Sequence, residues 1–412
     1  MADTTKKRSG AKGESRPEGV LELAAVGMEA EFQVEVDGQP ARPEDVFGSP
    51  RNFMQGALMH RVGTSYHLPT GGAVYFDTGV IEVATPVIEI DRGCAARAGR
   101  SLWESILVLR DELDGWEQRT GHHVRLSGFS THYNVSFELP RAEQGRSRTV
   151  RKLALLLSYI LPVPVMLLAT NPRSTGVGVR PRGDRIEVTV DFTPSASLMI
   201  ATGTLIVGIV REVMAWPSFE LDMLERMELP VIAGYTPMKH TSRKGWLARN
   251  DCYDRDPFQT DIDDAVWDTT DGRTLSLRSI AGLITKHFWH PIRRISDPWT
   301  FRLIGSVMRG RAPSLLDLDD RPAEYDDVGR LCTWDNLFPE DELSRSRYER
   351  VLIRAISGQK LWMHGRRYRP TGMRGWSAVV FRAEDDDSRH VFSIDYLLGH
   401  LRDWEQTATR GG

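Results

Sequence analysis

The chain is short of cysteine, and the three it has are scattered. Cys94, Cys252 and Cys332 form no CxxC pair among 412 residues. That excludes a disulfide framework and points to a reducing, cytoplasmic setting. Net charge is scarce as well. Lys and Arg number 53 against 56 Asp and Glu, a balance of -3, so no global field argues for nucleic acid or an anionic membrane. An unbroken apolar run of membrane-spanning length is missing. The most apolar stretch, 153–169, is interrupted by Pro162 and Pro164 and falls short of the roughly twenty residues a span needs. It predicts a buried helix running into a buried strand. There is no internal repeat and no low-complexity tract beyond residues 1–18. That polar start has no signal-peptide apolar core and reads as a disordered tail.

What is present is ordinary globular composition, 41% hydrophobic and 26% charged, with length enough for a large domain and a smaller one. Period-two alternation predicts a strand over 21–36, ending in a turn at Gly38. Residues 43–66 are mixed and partly helical. A strand pair follows Gly71-Gly72, with a tight turn at Asp77-Thr78-Gly79. Leu102, Ile106, Leu109 and Leu113 recur at spacings of three and four and predict a helix over 95–119. Further strands fall at 124–139, broken at Gly128 and Ser130, and at 185–190. Further helices fall at 150–160 and 198–213. Strands in adjacent pairs predict an α+β fold with a mainly antiparallel sheet. The division expected is a tail at 1–18, a catalytic domain at 19–235 and a smaller C-terminal α+β region at 236–412. Within the latter, residues 317–342 hold ten acidic groups and 343–374 nine basic ones. Pairing between these blocks is the simplest account of the basic, aromatic-rich cluster, and it argues against nucleic acid. The basic run 239–244 reads as a solvated loop.

Carboxylates inside strands are anomalous, because burying one unpaired is costly. Glu29 and Glu31 lie two apart, so a strand puts both on one face. Met28, Ala30 and Phe32 take the other face. Two carboxylates on one face repel unless a cation lies between them, and magnesium takes oxygen ligands of this kind. The same anomaly recurs three times more. Asp77 and Glu82 interrupt an apolar strand pair. His132 and Asn134 share a face in THYN. Arg185, Glu187 and Thr189 share a face in the last strand. Each alone reads as a solvated edge; four together point to a polar sheet face.

These motifs resemble the glutamine-synthetase superfamily of carboxylate–amine ligases. Paired glutamates in a GxExE strand begin its active site. The glutamate–cysteine ligase branch has a glutamate before Thr-Pro, as in Glu82-Val83-Ala84-Thr85-Pro86, and an HYN triplet, as in His132-Tyr133-Asn134. The Pup ligase and depupylase branch has GxExEF, then a segment similar to Gly72-Ala73-Val74-Tyr75-Phe76-Asp77, then a THxN motif. The resemblance covers roughly 27–215. Thr189 stands where the glutamate–cysteine ligase branch carries an arginine.

The resemblance implies a curved sheet of glutamine-synthetase catalytic type flanked by helices. It implies ATP and magnesium, with manganese also suited to a histidine-containing site. The implied metal ligands are Glu29, Glu31, Glu82, His132 and Glu187. Asp77 would be the base that takes a proton from the incoming amine. Arg185, also implied in catalysis, would face the nucleotide phosphates with Arg180, Arg182 and Asn134. The implied partners are a carboxylate substrate and an amine substrate, small or protein-borne, with no membrane; an oligomer is left open. The implied reaction forms an amide through an acyl phosphate. A depupylase-like amidase or deamidase and a non-catalytic nucleotide-binding descendant are the alternatives.

Overall fold

A single long strand organises the protein. In this computed structural model, which describes residues 24–137, 148–240, 245–317, 327–334 and 344–409, that strand is β1 (Ala25–Val36). The expected tail, residues 21–23 of the predicted first strand, and 241–244 of the basic run lie outside the described residues. The other strands of the main sheet are β2 (Gln39–Ala41), β3 (Met59–Val62), β4 (Ser65–His67), β5 (Ala73–Asp77), β6 (Val80–Ala84), β7 (Ile88–Glu89), β8 (Val124–Ser136), β9 (Val177–Pro181), β10 (Arg185–Asp191), β11 (Met238–Lys239) and β12 (Trp246–Ala248). They hydrogen-bond in the order β11-β12-β9-β10-β8-β1-β6-β5-β4-β3, with β2 and β7 also on β1. Every pairing in this curled sheet is antiparallel, as the adjacent strand pairs in the sequence predicted.

Helices cover one face only. These are α1 (Pro43–Phe47), α2 (Cys94–Thr120), α3 (Val150–Ile160), α4 (Pro162–Ala169), α5 (Ala196–Met214), α6 (Asp222–Arg226), α7 (Leu277–His287), α8 (Trp289–Ile295) and α9 (Pro298–Val307). Leu102, Ile106 and Leu109 of α2 are fully buried in one cluster with Met28, Ala30 and Phe32. Two glycines set the close approaches. A Cβ at Gly203 would lie 2.7 Å from Met28 Cε, and one at Gly208 would lie 2.8 Å from Ile292, where α8 crosses α5.

Two expectations change. The stretch 153–169 is helix throughout: α3 bends by 62° into α4, because Pro162 begins a new helix at a position that needs no N–H. Strand β8 runs through Gly128 and Ser130 unbroken, with a register shift opposite Glu31 and Phe32. Gly128 is needed there, since a Cβ would lie 2.3 Å from the Phe192 ring. Apolar residues from 246 to 334 belong to the main core, whereas a second core draws on residues 348–404. The helix α5 is long and apolar enough to cross a membrane, but 83% of its most apolar window is buried inside the protein, as in a core helix.

The second core lies in a unit of four antiparallel strands, β15 (Leu361–Met363), β16 (Arg366–Arg374), β17 (Ala378–Ala383) and β18 (Arg389–Ser393), after a small hairpin of β13 (Trp267–Asp268) and β14 (Thr274–Leu275) in the main body. Helices α10 (Arg347–Ile356), α11 (Ile394–Gly399) and α12 (Leu401–Thr409) complete it. It is fastened to α2 by a two-oxygen contact of Arg100 with the fully buried Glu349, at 2.8 and 3.0 Å. Among the described residues, its basic residues pair with Glu89, Glu104, Glu384, Asp385 and Glu405. Most of 317–342 lies outside the described residues. Leu102→Ala should cost about 2–5 kcal/mol of stability in denaturant unfolding, as expected of a fully buried leucine. A loss below about 1 kcal/mol would show that α2 does not anchor the sheet.

Candidate active site

The sheet face opposite the helices carries the polar residues. On β1, Glu29 stands opposite His132 of β8, and Glu31 opposite Ser130 of β8 and Glu82 of β6. Directly paired residues share a face, so three neighbouring strands gather these side chains. His132 lies between the two glutamates, its Nδ1 3.3 Å from Glu29 Oε2 and its Nε2 3.6 Å from Glu31 Oε1. Ser130 donates to Glu31 at 2.6 Å. Tyr75 of β5 donates to Glu82 at 2.5 Å. Glu31, Glu82 and His132 are all under a tenth exposed.

Asp77 arrives from the tight turn read in the sequence. Thr78 and Gly79 both take positive φ, 53° and 95°, which closes a two-residue hairpin between paired Asp77 and Val80. The turn brings Asp77 into a triplet with Glu31 and Glu82, and a second triplet joins Glu29, Glu82 and His132. Within each, one ligand atom per residue lies within 4.8 Å of the others. The two triplets share Glu82. Oxygen donors with one imidazole are a donor set that fits magnesium or manganese.

Crowding shows in the acid–base balance. Burial and the neighbouring Glu29 push Glu82 up to about 9. Burial pushes Glu29 upward too, but the hydrogen bond and charge of His132, with Arg185, outweigh it and bring Glu29 down to about 2. One carboxylate of the pair ionises and the other keeps a proton, as expected for like groups in contact.

Glu187, expected as a fifth ligand, shares the polar face but is not gathered with the others. Its register partner across β8 is Asn134, and its carboxylate is taken by Arg180 and by Arg182, the latter at 2.6 Å. Arg185 donates to Asn134 at 2.8 Å and pairs with Asp184 at 2.9 Å. A cleft of about 560 Å³ opens beside Gly27, Glu29, Asn134 and Arg185, and Trp376 from the C-terminal unit forms its far wall.

Five contributors were missed in the sequence. Ser130 and Tyr75 needed the register. Arg61, on edge strand β3, lies with its guanidinium carbon 4.7 Å from the Trp376 ring centroid. Trp376 sits in the turn joining β16 and β17, some 300 residues from Arg61. His67, fully buried beside them, is held down to about 3 by burial and by the Arg61 charge. No sequence signal joined these residues; alternation at Tyr75 was the one available hint.

No family model matches the chain, and no curated protein matches it in sequence. Its fold is similar to that of a ligase of known structure. One such structure is the ligase PafA, in a crystal structure of its complex with the prokaryotic ubiquitin-like protein Pup. The two chains share 11% identity, the match covers 95% of this chain and 94% of that one, and the TM-score is 0.51. The likeness is one of fold. It extends the Pup-ligase resemblance from the motifs to nearly the whole chain, while the glutamate–cysteine ligase resemblance rests on motifs alone.

The raised Glu82 carboxyl sets a pH dependence. Between its ordinary 4.5 and about 9, the folded protein holds a proton that the unfolded chain has released. Unfolding then releases a proton, so this group makes stability fall as pH rises through that window. Glu82→Gln should flatten that part of the slope in denaturant midpoints measured from pH 5 to 9. Manganese must displace the same proton, so its affinity for the parent should rise across the window. A parent and a variant with the same stability slope would refute the shared-proton arrangement.

Proposed function

We propose that the chain is an ATP- and divalent-metal-dependent ligase that joins a carboxylate to an amine. The observation that carries this is the convergence of Glu29, Glu31, Asp77, Glu82 and His132 on one sheet face, beside a cleft lined by Asn134 and Arg185. The PafA-like fold supports the same class. Magnesium or manganese held by the two triplets would neutralise charge spreading over a phosphoryl group in transfer. The residues of the chain do the rest. Glu29, Glu31, Glu82 and His132 fix the cations. Tyr75, through its bond to Glu82, orients the shared carboxylate. Asp77 accepts the proton of the incoming amine once ATP has activated the substrate carboxylate. Arg185, held by Asn134, faces the cleft as a fixed positive charge. Glu187 acts as the anchor for Arg180 and Arg182 instead of as a ligand.

The test is ADP formation by the purified protein with manganese and hydroxylamine as surrogate amine. It is expected only when a carboxylate substrate is added, with a hydroxamate as product. Amide hydrolysis without ADP release would replace the ligase with an amidase of the depupylase kind. Asp77→Asn should lower turnover by a factor on the order of 100, typical of a lost general base, and leave manganese and ATP affinity near the parent's. Because Asp77 lies beside Glu31 and Glu82, loss of manganese affinity would make it a ligand instead.

A further inference from the structure

We propose that Arg61 binds the phosphoryl group in transfer, and that Trp376 of the C-terminal unit positions it. This rests on the ligase reading of the same site. The other arginines over the polar face are engaged: Arg180 and Arg182 with Glu187, Arg185 with Asp184 and Asn134. Arg61 is different. Its hydrogen bond is a long one, 3.3 Å to Ser65 Oγ. Its Nε is buried without a partner. No described carboxylate forms an ion pair with it.

The guanidinium is held instead by rings. Its carbon lies 4.7 Å from the Trp376 centroid and 5.8 Å from the Tyr75 centroid. Trp376 also meets His67 edge-on, with centroids 4.9 Å apart at 90°. Tyr75 reaches Glu82, and Trp376 walls the cleft. Arg61 therefore touches both the ring that bonds Glu82 and the ring that walls the cleft. Burial disfavours its charge, and Glu29 and Glu82 are near enough to support it. Ring contacts recover part of the lost hydration; an oxyanion accepting two N–H bonds would recover more.

A phosphoryl group suits the place. In the transfer, the bond from the γ-phosphorus to the β–γ bridging oxygen breaks and its electron pair leaves with ADP. A bond from a substrate carboxylate oxygen to the same phosphorus forms. Three outer oxygens share charge throughout, and a guanidinium facing the metal side of the site can hold two of them. Arg61 exchanges no proton. Trp376 lies over the guanidinium and acts by fixing its direction.

Calorimetry with manganese and either AMP-PNP or ADP tests this. Arg61→Gln should weaken AMP-PNP binding by about tenfold or more, as for loss of a charge-assisted pair, and leave ADP within about threefold. Arg61→Lys should restore part of the loss. Trp376→Leu should weaken AMP-PNP more than ADP. Equal weakening of both nucleotides by Arg61→Gln, or none, overturns the assignment while the parent still binds. A parent that binds neither nucleotide overturns the ligase reading and this inference with it.

Discussion

The structure is built around a repulsion. Four carboxylates, from Glu29, Glu31, Asp77 and Glu82, converge on the open face of a sheet whose other face is sealed by helices. At such separations, out of bulk water, like charges cannot all persist without compensation. The protein uses three devices. An imbedded imbalance is avoided at Glu29 and Glu31 by His132 between them. The phenol of Tyr75 donates to Glu82. Glu82 keeps its proton. On the ligase reading, each device is one that a bound cation would displace. The backbone beneath is fixed accordingly: Thr85 accepts from Met28 N at 2.9 Å through its hydroxyl and donates its own N–H to Met28 O at 2.8 Å. That gives the Thr-Pro dipeptide a local task, since Pro86 has no N–H to extend the ladder.

Much of this was legible because a strand has a strict period. Once Met28, Ala30 and Phe32 are taken as core, Glu29 and Glu31 must share the other face, and the same holds for His132 with Asn134 and Arg185 with Glu187. Which residues on that face touch is a different matter. Contact depends on register, and register put Glu187 opposite Asn134 and Arg180 rather than beside Glu29. The sequence therefore placed Glu187 on this face, while register sets it among Asn134 and Arg180. Pro162 and Pro164 misled for a related reason. Proline excludes a helix interior but suits its first turn, and the two cases look alike until the bend is seen. The late division of cores was hidden because tryptophans and turns after 236 resemble a new domain, yet Trp267 and Trp334 pack into the first one.

Arg61 and Trp376 show the limit of local patterns most clearly. Arg61 sits in a four-residue edge strand whose alternation is intermediate and exposed, which is how an ordinary surface strand reads. Trp376 lies in a turn after a left-handed glycine, Gly375, with no periodicity to mark it. Their meeting depends on the C-terminal unit docking against β3, and that docking is fixed far away, by Glu349 buried against Arg100 of α2. A buried pair of this kind is a better register device than a source of stability. It makes the wall of the cleft a property of the assembled chain and not of either core alone.

Charge balance ties the two parts together. With all four carboxylates ionised, the centre of the site carries four negative charges; Arg185 already supports Glu29, and Arg61 lies across the site. Arg180 and Arg182 are spent on Glu187, and Arg185 is shared with Asp184. Two divalent ions would cancel the four carboxylates, and a ligand carrying further negative charge would then need a cation of its own. Arg61 is the group whose placement meets that need: supported by Glu29 and Glu82 without being captured by either, and kept from solvent by a ring that comes from the other end of the chain. On the ligase reading, an arginine so placed would be held in reserve for an anion that arrives with a metal.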